Sequence, residues 1–193
     1  MVRVLVVYGT SDGHTAKVAS GLGDRLRSRG LHVDVVDASI ASDVAPDWYD
    51  GVVVAASVHA RSYQKPVRRW VRAHAAALNR MSTAFVSCCL GVLQHDPKVD
   101  ADLAAIVDRF TAETGWRPNV VKIFPGALLY TKYGIVTRWL MKRIAAKAHG
   151  DTDTSRDYDY TDWKQVEAFA DEYAARLPVS GTVNRVVDQR RAS

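Results

Sequence analysis

The residues best suited to chemistry stand close to the N-terminus, in the run Gly9-Thr10-Ser11-Asp12-Gly13-His14-Thr15. An apolar stretch, 2–8, precedes it and an amphipathic stretch follows, so the run joins a strand to a helix. A helix start aims unpaired N–H groups and the positive end of the dipole at one point, which suits a phosphate. Thr10, Ser11 and Thr15 add hydroxyl donors, and Gly13 lets the backbone curl closely. The run holds no lysine, so a terminal monophosphate is held there mainly by neutral donors. Other nucleotide loops fit badly, since neither G-x-x-x-x-G-K-[ST] nor G-x-G-x-x-G occurs. Asp37, closing the second expected strand, is the one residue placed like a ribose-binding acid. The plainer reading, in which Thr10 and Asp12 only cap a helix, accounts for the same residues.

Elsewhere the chemistry is sparse. The two cysteines, Cys88 and Cys89, are neighbours, so a disulfide framework and a zinc site are both excluded. They read as small apolar thiols in a buried strand. His14, His59 and His95 fall near expected strand ends without a paired acid at fixed spacing. No metal-ligand cluster and no G-x-S-x-G is present, so a metal centre and a serine hydrolase are not expected. If the chain performs a reaction, a bound cofactor supplies the chemistry and the protein supplies orientation and electrostatics.

The elements that must position these residues are legible from hydrophobic period. Short apolar runs at 2–8, 31–37, 51–56, 84–90 and 120–124 read as five strands. Helical periods follow at 13–30, 66–79, 99–114, 135–149 and 162–177. Strands alternating with helices demand a parallel sheet with right-handed crossovers, so the fold class is α/β and doubly wound. One domain over 1–177 suffices for 193 residues, and the polar 178–193 reads as a frayed tail. No run is long and apolar enough to span a membrane, and the start lacks the pattern of a signal peptide, so the expectation is a cytoplasmic protein.

The loop after the first strand is similar to that of flavodoxins. Over nearly its whole length, to about Leu177, the chain resembles the menaquinone-dependent protoporphyrinogen oxidases, long-chain flavodoxin-like flavoproteins of bacterial haem synthesis. The residues carrying this include Ser11-Asp12-Gly13 with Thr15, Ala56-Ser57 with Tyr63, and Ala84-Phe85 with Ser87. Trp116-Arg117-Pro118, Gly126-Ala127-Leu128 with Tyr130 and Tyr133, Asp151-Thr152-Asp153-Thr154 and Tyr160-Thr161-Asp162-Trp163 carry it further. The resemblance implies a flavodoxin-like five-stranded parallel sheet of order 2-1-3-4-5, with flavin mononucleotide (FMN) at its carboxyl edge. It implies that Thr10, Ser11, Asp12, Gly13, His14 and Thr15 bind the phosphate. It also implies that loops holding Ser57, Val58, His59 and Tyr63, and Ser87, Cys88, Cys89, Leu90 and Gly91, flank the isoalloxazine ring. Tyr63 is a candidate stacking or edge contact, with simple packing in the core as the alternative. The activity implied is oxidation of protoporphyrinogen IX with electrons passed to a quinone. A flavodoxin-type electron carrier, or an FMN quinone reductase without porphyrin activity, is the alternative.

Charge adds a second expectation. Residues 51–95 and 114–150 contain no acid and together carry +13, against a net +5, leaving −8 for the rest. Two basic surfaces on an acidic body point to an anionic partner. The second stretch holds an expected extra helix after the fifth strand, with Leu140, Met141, Ile144, Ala145 and Ala148 on one arc. Arg138, Lys142, Arg143 and Lys147 lie on the other side, beside Trp139. Arg61, Lys132, Arg138 and Lys142 are the candidate contacts for porphyrinogen propionates or a quinone. The same helix suits peripheral contact with an anionic membrane surface, whereas no nucleic-acid reader motif is present.

Overall fold

The computed structural model describes residues 1–132, 139 and 151–178. Five parallel strands, β1 (Arg3–Gly9), β2 (His32–Asp37), β3 (Gly51–Ser57), β4 (Ser82–Cys88) and β5 (Val120–Phe124), form one sheet. Their order is β2-β1-β3-β4-β5. Val4 and Val6 of β1 face one side of the sheet, and Leu5 and Val7 face the other. All four are fully buried, which is why the strand reads as a continuous apolar run instead of an alternating one.

Helices α1 (His14–Ser28) and α4 (Trp163–Ala174) cover the first side, through Val18, Leu22, Leu26, Val166 and Phe169. Helices α2 (Lys65–Leu78) and α3 (Pro97–Thr114) cover the second, through Val67, Trp70, Val71, Ile106 and Phe110. Asp171 of α4 receives bidentate hydrogen bonds from Arg29, just past the end of α1, and from Arg25 within it, which hold its carboxyl well below the usual carboxylate range. On the second side, Phe85, Phe110 and Trp116 pack with ring centroids 4.8–6.2 Å apart, and Trp116 Nε1 donates to Thr83 Oγ1.

The expected sheet order is thus present, with small shifts of boundary. The fourth strand ends at Cys88, because residues Leu90–Gln94 turn into a 3-10 helix. Helix α3 starts at Pro97, two residues before its expected start, where the Asp96 side chain accepts from Lys98 N–H and caps it. An antiparallel ribbon of β6 (Ala127–Leu128) and β7 (Tyr158–Asp159) was not anticipated, since two-residue strands are too short to show an alternation. The extra basic helix expected at 135–149 and most of the tail lie outside the described residues. Among those described, no helix is long and apolar enough to cross a membrane.

Strand β1 marks the topological switch, since β2 pairs on one side of it and the chain then crosses over to pair β3 on the other. The loops after β1 and β3 therefore diverge, and a crevice opens between them at the carboxyl edge. Gly9 ends β1 as α2 closes in: a Cβ there would meet Val67 Cγ2 at 2.3 Å. The far end of α4 is fastened beneath the sheet by the buried Tyr173 hydroxyl, within hydrogen-bond reach of the Val52 and Ser82 carbonyls. Tyr173→Phe should lower unfolding free energy by about 1 kcal/mol in urea titration, with an unchanged denaturant slope; a neutral result would mean that burial alone holds α4.

Candidate functional site

The crevice at the switch point is a cleft of about 460 Å³, within the roughly 300–1,000 Å³ usual for small-ligand sites. Its floor at one end is the loop joining β1 to α1. Thr10 Oγ1 accepts from Gly13 N–H at 2.8 Å, and Gly13 takes φ +90°, a left-handed conformation that favours glycine. Helix α1 then begins at His14 with no side-chain cap and no acid in its first turn. Helices α3 and α4 are capped by Asp96 and Asp162, and α2, which also lacks a side-chain cap, has Pro66, a residue with no N–H to satisfy, in its first turn. The first-turn N–H groups of α1 and its positive dipole end are thus left to an outside anion.

A second, independent feature points the same way. Thr15 Oγ1 lines the cleft and is buried without an N–H or O–H partner. Its neighbour is the Cys88 thiol, a weak hydrogen-bonding group. A buried hydroxyl left unpaired costs about 1–3 kcal/mol, which a ligand oxygen would relieve. The donor set fits a phosphate, as the sequence suggested.

Along the other end, the walls come from the loops after β3 and β4. Val58 N–H donates to Cys88 O and Cys89 N–H to Phe124 O, so the sheet ladder carries both loops out to the cleft rim. The Gln64 amide ties the first two loops together, donating to Ser57 Oγ at 2.7 Å and to Ser11 Oγ at 3.4 Å. His59 and Ser62 exchange backbone hydrogen bonds across a tight turn whose corners, Ala60 and Arg61, take φ +47° and +61°. Side chains rarely adopt that region, and it costs on the order of 1 kcal/mol per residue, here spent at the mouth of the cleft.

Most sequence-nominated residues meet here: Thr10, Ser11, Asp12, His14, Thr15, Ser57, Val58, His59, Cys88, Cys89, Leu90 and Gly91 line the cleft. Gly13, Tyr63 and Ser87 do not; Gly13 instead shapes the curl of the loop beside it. Tyr63 is a correction to the expected ring contact: it is buried in the α2/α3 core, edge-on to Phe85 and Phe110 at 5.0 Å. Its hydroxyl meets Ser87 Oγ at 2.9 Å, and burial pushes its pKa up to about 12. Burial likewise pushes the Cys88 thiol up to about 12 and raises that of Cys89, so both are inert near neutral pH. Arg61 is exposed and pairs with Asp102 at 3.2 Å. Arg138 and Lys142 lie outside the described residues. Lys132 does reach the cleft, at the phosphate-loop end, where its Nζ donates to Asp12 O at 2.9 Å.

Sequence reasoning missed the cleft-lining role of Gly126 and Ala127 and the way the β6–β7 ribbon grips the loop. His14 Nε2 stands 3.0 Å from Thr161 Oγ1, with Asp159 3.9 Å from Nδ1. Only the resemblance pointed to that segment. Desolvation lowers the His14 pKa despite Asp159, which opposes it, so the ring is neutral at pH 7.

A profile of the flavodoxin domain matches residues 5–155. Protoporphyrinogen IX dehydrogenase [quinone] of Escherichia coli strain K12 is 34% identical over 175 residues, covering 90% of this chain and 95% of the relative. The protein of the same name from Leishmania major is 30% identical over 179 residues, covering 92% and 77%. The chain belongs to the protoporphyrinogen IX dehydrogenase (quinone) family of flavodoxin-domain proteins. Among solved structures, oxidised flavodoxin 1 of Bacillus cereus aligns at TM-score 0.57 and 14% identity over 91% of this chain and 99% of its own. The flavodoxin of Streptococcus pneumoniae TIGR4 aligns at 0.55 and 18%, over 91% and 100%. These two bear on the fold alone. Fold and family domain together imply a flavin-binding protein.

Because the folded state depresses the His14 pKa, the unfolded chain takes up the proton more readily, and stability falls as pH drops below about 6.5. Thermal unfolding of the apoprotein between about pH 7.5 and 5.5 should show a steeper loss for the wild type than for His14→Gln. Parallel slopes would remove His14 from the pH response.

Proposed function

We propose that this protein is an FMN-dependent oxidoreductase that oxidises protoporphyrinogen IX and passes the electrons to a quinone. The observation that carries the reading is the phosphate end of the cleft: an uncapped first turn of α1 beside a buried, unpartnered Thr15 hydroxyl. Kinship at 34% identity with protoporphyrinogen IX dehydrogenase [quinone] supports the substrate and the acceptor.

In this reading the loop of Thr10, Ser11, Asp12, Gly13, His14 and Thr15 holds the phosphate, with Gly13 shaping its curl, and the loops at 57–60 and 88–91 hold the ring. The flavin, when bound, supplies two-electron transfer from the porphyrinogen to the quinone. The chain itself does three things. The hydroxyls and the α1 amides fix the phosphate and so the reach of the ring. Val58, Ala60 and Leu90 give the cleft apolar walls that would shield a bound ring from water. His14, bonded to Thr161, keeps the segment that follows the β6–β7 ribbon against the loop. A lipid quinone requires approach to a membrane surface, for which the acid-free 114–150 stretch supplies the attracting charge.

Anaerobic mixing of FMN-loaded protein with protoporphyrinogen IX should bleach the yellow flavin band, and a quinone should restore it. Bleaching no faster than in buffer would reject this substrate, and reduction only by a partner reductase would favour an electron carrier. Thr15→Val should weaken FMN binding by about tenfold while leaving the apoprotein as stable or more so, because it removes an unpaired buried hydroxyl. Fluorescence titration and thermal melting measure the two effects.

A further inference from the structure

We propose that Lys132 is the counter-charge for the phosphomonoester end of the flavin, making the cleft select phosphorylated flavin over riboflavin; this rests on the flavin reading above. The phosphate loop contributes no cation of its own, and it contains an acid, Asp12. The charge arrives from a distant segment. Lys132 Nζ donates to the Asp12 carbonyl, 120 residues away in sequence, and lines the same cleft as Thr10, Ser11 and Thr15. It stands 3.3 Å from where a Cβ on Gly13 would lie, directly over the curl of the loop.

An ammonium has three N–H bonds, and one is used on Asp12 O. Among the described residues Lys132 forms no ion pair, and it lines the cleft, so its charge stands there without a carboxylate paired to it. The backbone that presents it is built for the purpose. Tyr130, two residues earlier, is fully buried, and its hydroxyl donates to Asp151 O at 2.8 Å. Thr131 N–H and Oγ1 both donate to Asp157 Oδ1 at 2.9 Å. With the turn fixed from two directions, only the lysine stem is left to order when an anion arrives, which lowers the entropic cost of the contact.

The test is titration of the apoprotein with FMN and with riboflavin, at low and raised salt, for the wild type, Lys132→Gln and Lys132→Arg. Lys132→Gln should weaken FMN by about tenfold, leave riboflavin within about twofold, and flatten the salt dependence of FMN binding. Lys132→Arg should keep most of the FMN affinity and the salt dependence. Glutamine retains an N–H donor for Asp12, so a residue that merely ties down the loop would tolerate it. Equal weakening of both flavins, or an unchanged salt slope in Lys132→Gln, would overturn the proposal. A wild type that binds neither flavin would instead overturn the flavin reading itself, and this inference with it.

Discussion

An α-helix begins with N–H groups that have no partner within the helix, and every helix must settle them somehow. In this chain α3 and α4 do so with their own aspartates. Helix α1 does not: Thr10, the hydroxyl placed to help, accepts from Gly13 within the loop instead. The debt is left open where the chain emerges from the centre of the sheet, and the buried Thr15 hydroxyl adds to it. A donor set held this way costs stability in the free protein and is returned only when an anion occupies it. The rest of the carboxyl edge is arranged around that unsatisfied turn.

The surroundings follow from it in layers. The switch in strand order opens the crevice, and the Gln64 amide keeps its two lips together. Under the second lip, Tyr63 and Ser87 bond to one another inside an aromatic cluster, so the loop above rests on a rigid base while the tyrosine itself never reaches the cleft. On the other flank the β6–β7 ribbon presses Thr161 against His14 and delivers Lys132 over Gly13. Burial keeps the thiols of Cys88 and Cys89 protonated and lowers the pKa of His14, so these three groups are not poised for proton exchange near neutral pH. Such a setting suits a reaction in which the electron chemistry belongs to a cofactor.

Much of this was legible because it is local. A strand buried on both faces writes itself as an apolar run, and the phosphate loop is seven consecutive residues between such a run and an amphipathic period. For Tyr63 the sequence left ring contact and core packing both open, for the opposite reason. Its neighbours in sequence belong to the cleft wall, but its ring is captured by Phe85 and Phe110, residues that lie on other elements. The ribbon escaped notice because two-residue strands leave no period to detect.

By itself, then, the chain's order of residues determined the alternation of elements, the parallel doubly wound class that alternation demands, and the polar loop at the first junction, while the strand order was implied only by the family resemblance. These depend on periodicities and neighbours within a few residues, where backbone geometry dictates which side chains share a face. Only the tertiary structure decided which nominated residues reach the cleft, that His14 is buried against Thr161, and that Lys132 brings its charge to a loop that has none. Those facts depend on contacts between segments more than a hundred residues apart, whose distances no local pattern encodes.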